Sequence, residues 1–178
     1  MRVVALITAC VMTVMAAVAA EPADGGVKTR FAWGAEFGSS IDLSGHDMSS
    51  IDFNAGFGVS HGWLSLAGVG AGANIMVSNS CRTYPIFAII RTSLSPRRRL
   101  VFLDLRGGIA LNYLTDNLSK TSPYVSAGLG FNLAGGRNFQ SYIVAGYTYN
   151  GRGHVETAEI IRDYEPLHYA GIRLGIEF

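Results

Sequence analysis

Charge is what this sequence has least of. Asp, Glu, Lys and Arg make up 15% of its 178 residues, against roughly 25% in an average soluble domain. A water-soluble chain of this length normally covers its surface with those residues, and this one cannot do so densely. The two signs nearly cancel: 14 Lys and Arg against 13 Asp and Glu leave a formal net charge of +1. Without Met1–Ala20, where Arg2 is the only charge, the balance is neutral. A neutral chain offers little to a phosphate backbone, so no nucleic-acid partner is expected. Cysteine is scarce as well, with Cys81 alone beyond Ala20. No intrachain disulfide is available to that part of the chain, so backbone pairing and packing must hold the fold. Sustained helical periodicity is also missing after Ala20.

What is present at the N-terminus reads as an export signal. Arg2 precedes an apolar run from Val3 to Met15, and Ala16-Ala17-Val18-Ala19-Ala20 supplies small residues for cleavage before Glu21. An uncleaved membrane helix is the rival, because about 18 apolar residues is borderline for spanning. Ile7-Thr8-Ala9-Cys10 resembles a lipobox, but it would cut the apolar core short. The expected organisation is a cleaved signal over 1–20, a lead-in over 21–28 and one domain over 29–178.

Glycine is abundant, 22 residues, and it recurs within segments that alternate with a period of two. In Val101–Tyr113, Val101, Leu103, Leu105, Ile109 and Leu111 share one parity, and Asp104, Arg106 and Asn112 share the other. Alternation of this kind predicts a strand with one apolar and one polar face. The same pattern is read over Thr29–Phe37, Ile51–Val59, Trp63–Val77, Val125–Leu133, Phe139–Asn150 and Leu167–Phe178. Tyr84–Ser93 is the least regular, since Pro85, Phe87 and Ile89 interrupt it. Eight strands of about 9–11 residues result, the length a tilted strand needs to cross a bilayer. Connections are predicted to alternate between tight turns at Ser60–Gly62, Leu94–Arg99 and Ala134–Asn138, and longer loops that include Ile41–Ser50 and Gly151–Pro166.

The polar face decides between lipid and water outside. It is mainly Gly, Ser, Asn and Ala, too small and too uncharged for a solvent-facing surface, but suited to the interior of a narrow barrel. Its charges are Arg30, Glu36, Asp52, Arg91, Asp104, Arg106, Arg173 and Glu177, four of each sign. Buried charges need partners, and this balance allows pairing inside a barrel. No clear strand charge falls on the apolar parity. Trp33, Trp63, Tyr113, Tyr147, Tyr149 and Phe178 lie on or near that parity, several close to strand ends, as aromatic girdles do. The expected fold is all-β: a closed, antiparallel, up-and-down, eight-stranded transmembrane β-barrel.

The final strand, with Tyr169, Gly171, Leu174, Ile176 and Phe178, resembles the C-terminal assembly signal of bacterial outer-membrane barrels. Residues 28–178 as a whole resemble the small outer-membrane β-barrel proteins of Gram-negative bacteria. The glycine-rich strands and the Gly171–Phe178 ending look most like the Bacteroidota outer-membrane β-barrel domain (PorT-like). The resemblance implies the outer membrane as location, outer-membrane lipids and lipopolysaccharide as surroundings, and the barrel-assembly machinery as a partner during insertion. It implies no cofactor.

Motifs for chemistry are weak. Gly58-Val59-Ser60-His61-Gly62 matches a nucleophile elbow, but a strand follows it where the elbow needs a helix. Gly68-Val69-Gly70-Ala71-Gly72-Ala73 lacks the helix and acid of a dinucleotide fingerprint. His46, His61, His154 and His168 show no ligand spacing. His154, Glu156 and Glu159 could do acid–base work, and Arg152, Arg162, Asp163 and Glu165 join the same charged segment, which could engage lipopolysaccharide. For those residues a hydrated loop is the better account; Arg97-Arg98-Arg99 could meet phospholipid phosphates, and a solvated turn explains them equally. The expected role is a non-enzymatic surface protein that interacts through loops 41–50 and 151–166. An outer-membrane lipid A-modifying enzyme and a soluble periplasmic lipocalin-like lipid-binding barrel are the alternatives.

Overall fold

Strand β1, Arg30–Asp42, pairs with β2, Ser50–His61, on one side and with the final strand on the other. That double pairing closes a sheet with no free edge. The computed structural model describes residues 29–78, 80–94, 100–113, 119–136, 139–151, 153–157 and 160–178. The expected signal and lead-in, and Arg97-Arg98-Arg99, lie outside them.

The barrel continues through β3 (Leu64–Met76), β4 (Arg82–Ser93), β5 (Val101–Tyr113), β6 (Ser119–Gly135) and β7 (Gln140–Asn150). A separate antiparallel pair follows, β8 (Gly153–Thr157) and β9 (Ile160–Tyr164), before β10 (Leu167–Glu177) returns to the barrel. Eight antiparallel strands therefore close in the order β1-β10-β7-β6-β5-β4-β3-β2. The expected barrel is present. Two boundary readings change. The segment from Gly151 to Pro166 is a hairpin and not an open loop, and the strands reach further, so that Ile41, Asp42 and Ser119–Ser122 belong to strands. A two-stranded ladder with polar, charged residues carries little periodic signal, which is why sequence alternation missed it.

The seam shows how the barrel closes. Gly34 stands opposite Glu177, and the register runs to Asp42 opposite Tyr169. Trp33 and Phe178 exchange both backbone hydrogen bonds, at 3.1 and 2.8 Å. Their rings stack with centroids 4.6 Å apart, an arrangement that adds to ordinary area burial. At the opposite edge of β2, the chain turns through Gly62 and Trp63, with Gly62 at φ 58°. A two-residue hairpin with glycine first requires that conformation. The turn sits one residue later than the Ser60–Gly62 expectation.

The start of β1 and the end of β10, with the β2–β3, β4–β5 and β6–β7 connections, lie at one end of the cylinder, here called the turn end. The other four connections lie at the loop end, among them the longest, between β7 and β10. Burial alternates along the strands as the sequence predicts: Phe31, Trp33 and Phe37 are exposed where Ala32, Gly34 and Glu36 are buried. Phe53, Phe57, Ile86, Leu129, Ile172 and Leu174 continue the apolar exterior around the cylinder. Aromatic residues mark both rims, Trp33, Trp63 and Phe178 towards the turn end and Tyr84, Tyr113 and Tyr147 towards the loop end. Arg82 departs from the expectation of an uncharged outer face: β4 starts two residues earlier than predicted, and Arg82 stands exposed on the outward parity at the loop-end rim.

The interior is larger-limbed than expected. Leu66, Phe87, Ile89, Phe102, Tyr124, Tyr142 and Val144 all point inward and are buried. The glycines make room for them. A Cβ on Gly130 would strike the Phe102 ring, one on Gly175 the Tyr142 ring, and one on Gly70 the Phe87 ring. Phe87 and Ile89 therefore keep the alternation of β4, seated beside glycines of the neighbouring strands, Gly70 and Gly108 next to Phe87 and Gly68 next to Ile89.

Candidate functional site

The lumen gathers most of the charge carried by the barrel strands. Glu36 comes from β1, Arg91 from β4, Asp104 and Arg106 from β5, and Arg173 and Glu177 from β10. In the ring order, β1 and β5 stand on opposite walls. Arg106 Nη2 donates to both carboxylate oxygens of Glu36 at 2.7 Å, so this pair spans the barrel diameter. Its Nε donates to Asp104 Oδ1 at 2.7 Å. Arg91 donates to Glu36 at 2.8 Å, to Asp104 at 2.8 Å and to Glu177 at 2.7 Å. Arg173 Nη2 reaches Asp104 Oδ1 at 3.2 Å, and the Tyr142 hydroxyl donates to Glu36 at 2.9 Å. Aromatic faces wrap the guanidiniums: Arg91 lies 4.2 Å from the Tyr142 centroid and 4.9 Å from Phe102, and Arg106 lies 5.0 Å from Phe87.

This packing explains the residue types. Arginine stays charged and presents a planar fork that can serve several carboxylates at once and stack on rings. Each carboxylate here is met by at least one guanidinium, which offsets the cost of taking it out of water. Six of the eight expected interior charges are thus brought together. The other two are not. Arg30 is exposed at the turn-end rim. Asp52 is buried but sits towards the loop end, accepting from the Ser50 hydroxyl at 2.7 Å and from the Ser40 hydroxyl.

A second, neutral chain of contacts lines the wall near the loop end. Thr83 donates to Asn112 Oδ1 at 2.8 Å, Asn112 Nδ2 to Ser122 at 2.7 Å, Ser122 to Asn150 Oδ1 at 2.6 Å, and Asn150 Nδ2 back to Asn112 Oδ1 at 2.8 Å. Sequence reasoning placed Asn112 inward but did not identify this ring. The signal was there, since Thr83, Asn112, Ser122 and Asn150 all fall on inward parity near strand ends. Above it, Met76, Cys81, Leu167 and Tyr169 form a buried apolar cluster with Met48 against it. The lone Cys81 is therefore a packing residue of the lumen's lid.

At the mouth, the connection after β1 meets the one before β10. Leu43 N donates to His168 O at 2.8 Å, His168 N to Ser44 Oγ at 2.8 Å, and His46 Nε2 lies 3.4 Å from Glu165. Asp42 accepts from the backbone N–H groups of Ser44, His46 and Met48 at 2.7, 2.9 and 3.2 Å, which fixes the turn it starts. The first of the two loops expected to carry interactions thus meets the base of the second, at Glu165 and Pro166. Of the charged residues singled out in the second loop, Arg152 and Glu159 lie outside the described residues. For His154, Glu156, Arg162 and Asp163 only the strands that carry them are described.

The weak motifs resolve structurally. Ser60 is buried in the hairpin and donates to Leu64 O at 3.4 Å, with a strand after it. Gly68 stands opposite Gly58 across β2 and β3, where a Cβ on either would strike the other strand's backbone. His61 lies within 2.9 Å of Thr29 at the turn end, and His168 contacts Tyr147 on the outer face. Among the described residues, no group of three His, Cys, Asp or Glu gathers as a metal site.

No protein-family model and no curated protein matches the sequence. Solved structures match in fold. The crystal structure of Neisserial surface protein A (NspA) is 18% identical, covers 86% of this chain and 98% of its own, and superposes with a TM-score of 0.55. The N-terminal β-barrel domain of Pseudomonas aeruginosa OprF is 12% identical, with 85% and 100% covered and a TM-score of 0.52. The likeness is one of fold: a closed, eight-stranded antiparallel barrel of the outer-membrane type.

Proposed function

We propose that this chain is an integral outer-membrane barrel that acts without catalysis, as an envelope and surface protein whose joined loops form the contact platform. The observation that carries the reading is the continuous apolar exterior of a closed barrel whose charges are turned inward. A soluble lipocalin-like barrel needs the reverse, with its apolar face lining the cavity. The shortest turn, between β2 and β3, lies at one end and the longest connection, between β7 and β10, at the other, which supports the orientation with the turn end to the periplasm and the loop end outward. Lipopolysaccharide surrounds the outer half. The meeting of the loops 41–50 and 151–166 supports a shared external ligand surface. The Trp33–Phe178 stack and the β1–β10 seam support Tyr169, Gly171, Leu174, Ile176 and Phe178 as the strand that the assembly machinery captures and then releases to β1. The finer PorT-like assignment rests on the glycine-rich strands and the Gly171–Phe178 pattern.

The test is heat-modifiable mobility. Extracted in detergent and run unheated in SDS, the protein should migrate differently from the boiled sample, because the closed ladder stays folded. Equal mobility before and after boiling, or release from cells by osmotic shock alone, would reject the membrane barrel.

A further inference from the structure

Between the ion-pair layer and the apolar lid lies a small polar cavity. Ser40, Asp52, Asn54, Asn74, Tyr124 and Thr148 line it, and Arg173 forms part of its floor. Asp52 and Asn74 are direct cross-strand partners, and Asn54 is the next inward residue of β2. A directly opposite pair such as Asp52 and Asn74 has Cβ atoms about 4.5–5.5 Å apart, and Asn54, diagonal to Asn74, stands about 7–8 Å away; all three side chains line the same cavity. Asn54 and Asn74 are each more than nine-tenths buried, and neither side-chain oxygen has a hydrogen-bond partner. Asn54 Oδ1 leans over Gly72, where a Cβ would strike it. A buried carbonyl oxygen without a partner has lost its hydrogen bonds to water without replacement, so two beside a carboxylate call for a cation or a donor.

The charges point the same way. Glu36, Asp104 and Glu177 are each met by a guanidinium, whereas Asp52 accepts from two serine hydroxyls. The Arg173 guanidinium is already committed downward, to Asp104 at 3.2 Å and Glu36 at 3.8 Å. The two serine hydroxyls occupy one lone pair on each Asp52 oxygen and leave the others open.

We propose that Asp52, Asn54 and Asn74 hold a monovalent hard cation, with sodium as the ion that fits. The ligands are all oxygen, which suits hard cations and not zinc or copper. A single carboxylate matches a single positive charge.

The experiment uses the whole chain folded in detergent micelles, unfolded in urea at constant ionic strength. Sodium chloride is compared with N-methylglucamine chloride. Sodium is expected to raise the midpoint by about 0.5 M, saturating with concentration as binding to the folded state does. Asp52→Asn keeps the shape and should abolish the sodium difference while still folding; Asn74→Leu should do the same by another route. Ser122→Ala, away from the cavity, should keep the full difference. Equal midpoints in the two salts for the unaltered protein would mean that water alone fills the cavity, and would overturn the site. So would a sodium effect that survives in both cavity variants.

Discussion

Two layers of one lumen are held by different chemistry. The layer nearer the turn end joins opposite walls: Glu36 on β1 meets Arg106 on β5 across the diameter, and Arg91, Asp104, Arg173 and Glu177 fill the space between. The layer nearer the loop end runs along one wall, from Thr83 on β4 through Asn112 and Ser122 to Asn150 on β7. Long guanidinium and carboxylate side chains can bridge a narrow cylinder. Short amides and hydroxyls reach only the next strand. Each layer keeps a small cavity, one lined by Glu36, Arg91, Arg106 and Tyr142 in the bridged layer and one at Asp52 beside the lined layer. Charge sets the cross-section, and neutral contacts set the local register.

Breaking the bridge should cost most. Arg106→Ala leaves Glu36 and Asp104 buried beside fewer counter-charges, and removing one partner of a buried pair costs about 3–5 kcal/mol. Urea unfolding in micelles should show that loss, and a loss no larger than that of a surface pair would deny the bridge its role. Next comes the outer face of the same strands. Leu129→Arg puts a charge near the middle of β6 on the lipid side, where about 2–4 kcal/mol is expected; a neutral result would mean that Leu129 does not meet hydrocarbon. The wall layer should be the mildest. Asn112→Ala strips partners from Thr83, Ser122 and Asn150 for about 1–3 kcal/mol, measured by the same unfolding. An Asn112→Ala cost above that of Arg106→Ala would invert the comparison.

Much of this was legible beforehand, and the limits are informative. Val101–Tyr113 reads as a strand with Asp104 and Arg106 inward, and both are so placed. Tyr84–Ser93 reads poorly because Phe87 and Ile89 are apolar on the inward side; only the glycines beside them on β3 and β5 make that sensible. Arg30 and Asp52 share the inward parity of the other charges, yet one ends at the rim and the other faces its own cavity. Parity gives the side of the sheet, not the height in the cylinder.

By itself the sequence determined the sidedness of every barrel strand but β4, because side chains alternate strictly and so few charges are available for water. It also determined the strand count of the barrel and the short turn between β2 and β3. The tertiary structure alone decided which side chains meet. Closure of β1 on β10 fixes the stagger of all eight strands, and that stagger sets Glu36 opposite Arg106, Gly130 beneath Phe102, and Asn54 and Asn74 beside Asp52. Those pairs are far apart in the chain or lie across a ladder, and no local pattern encodes the distance between walls.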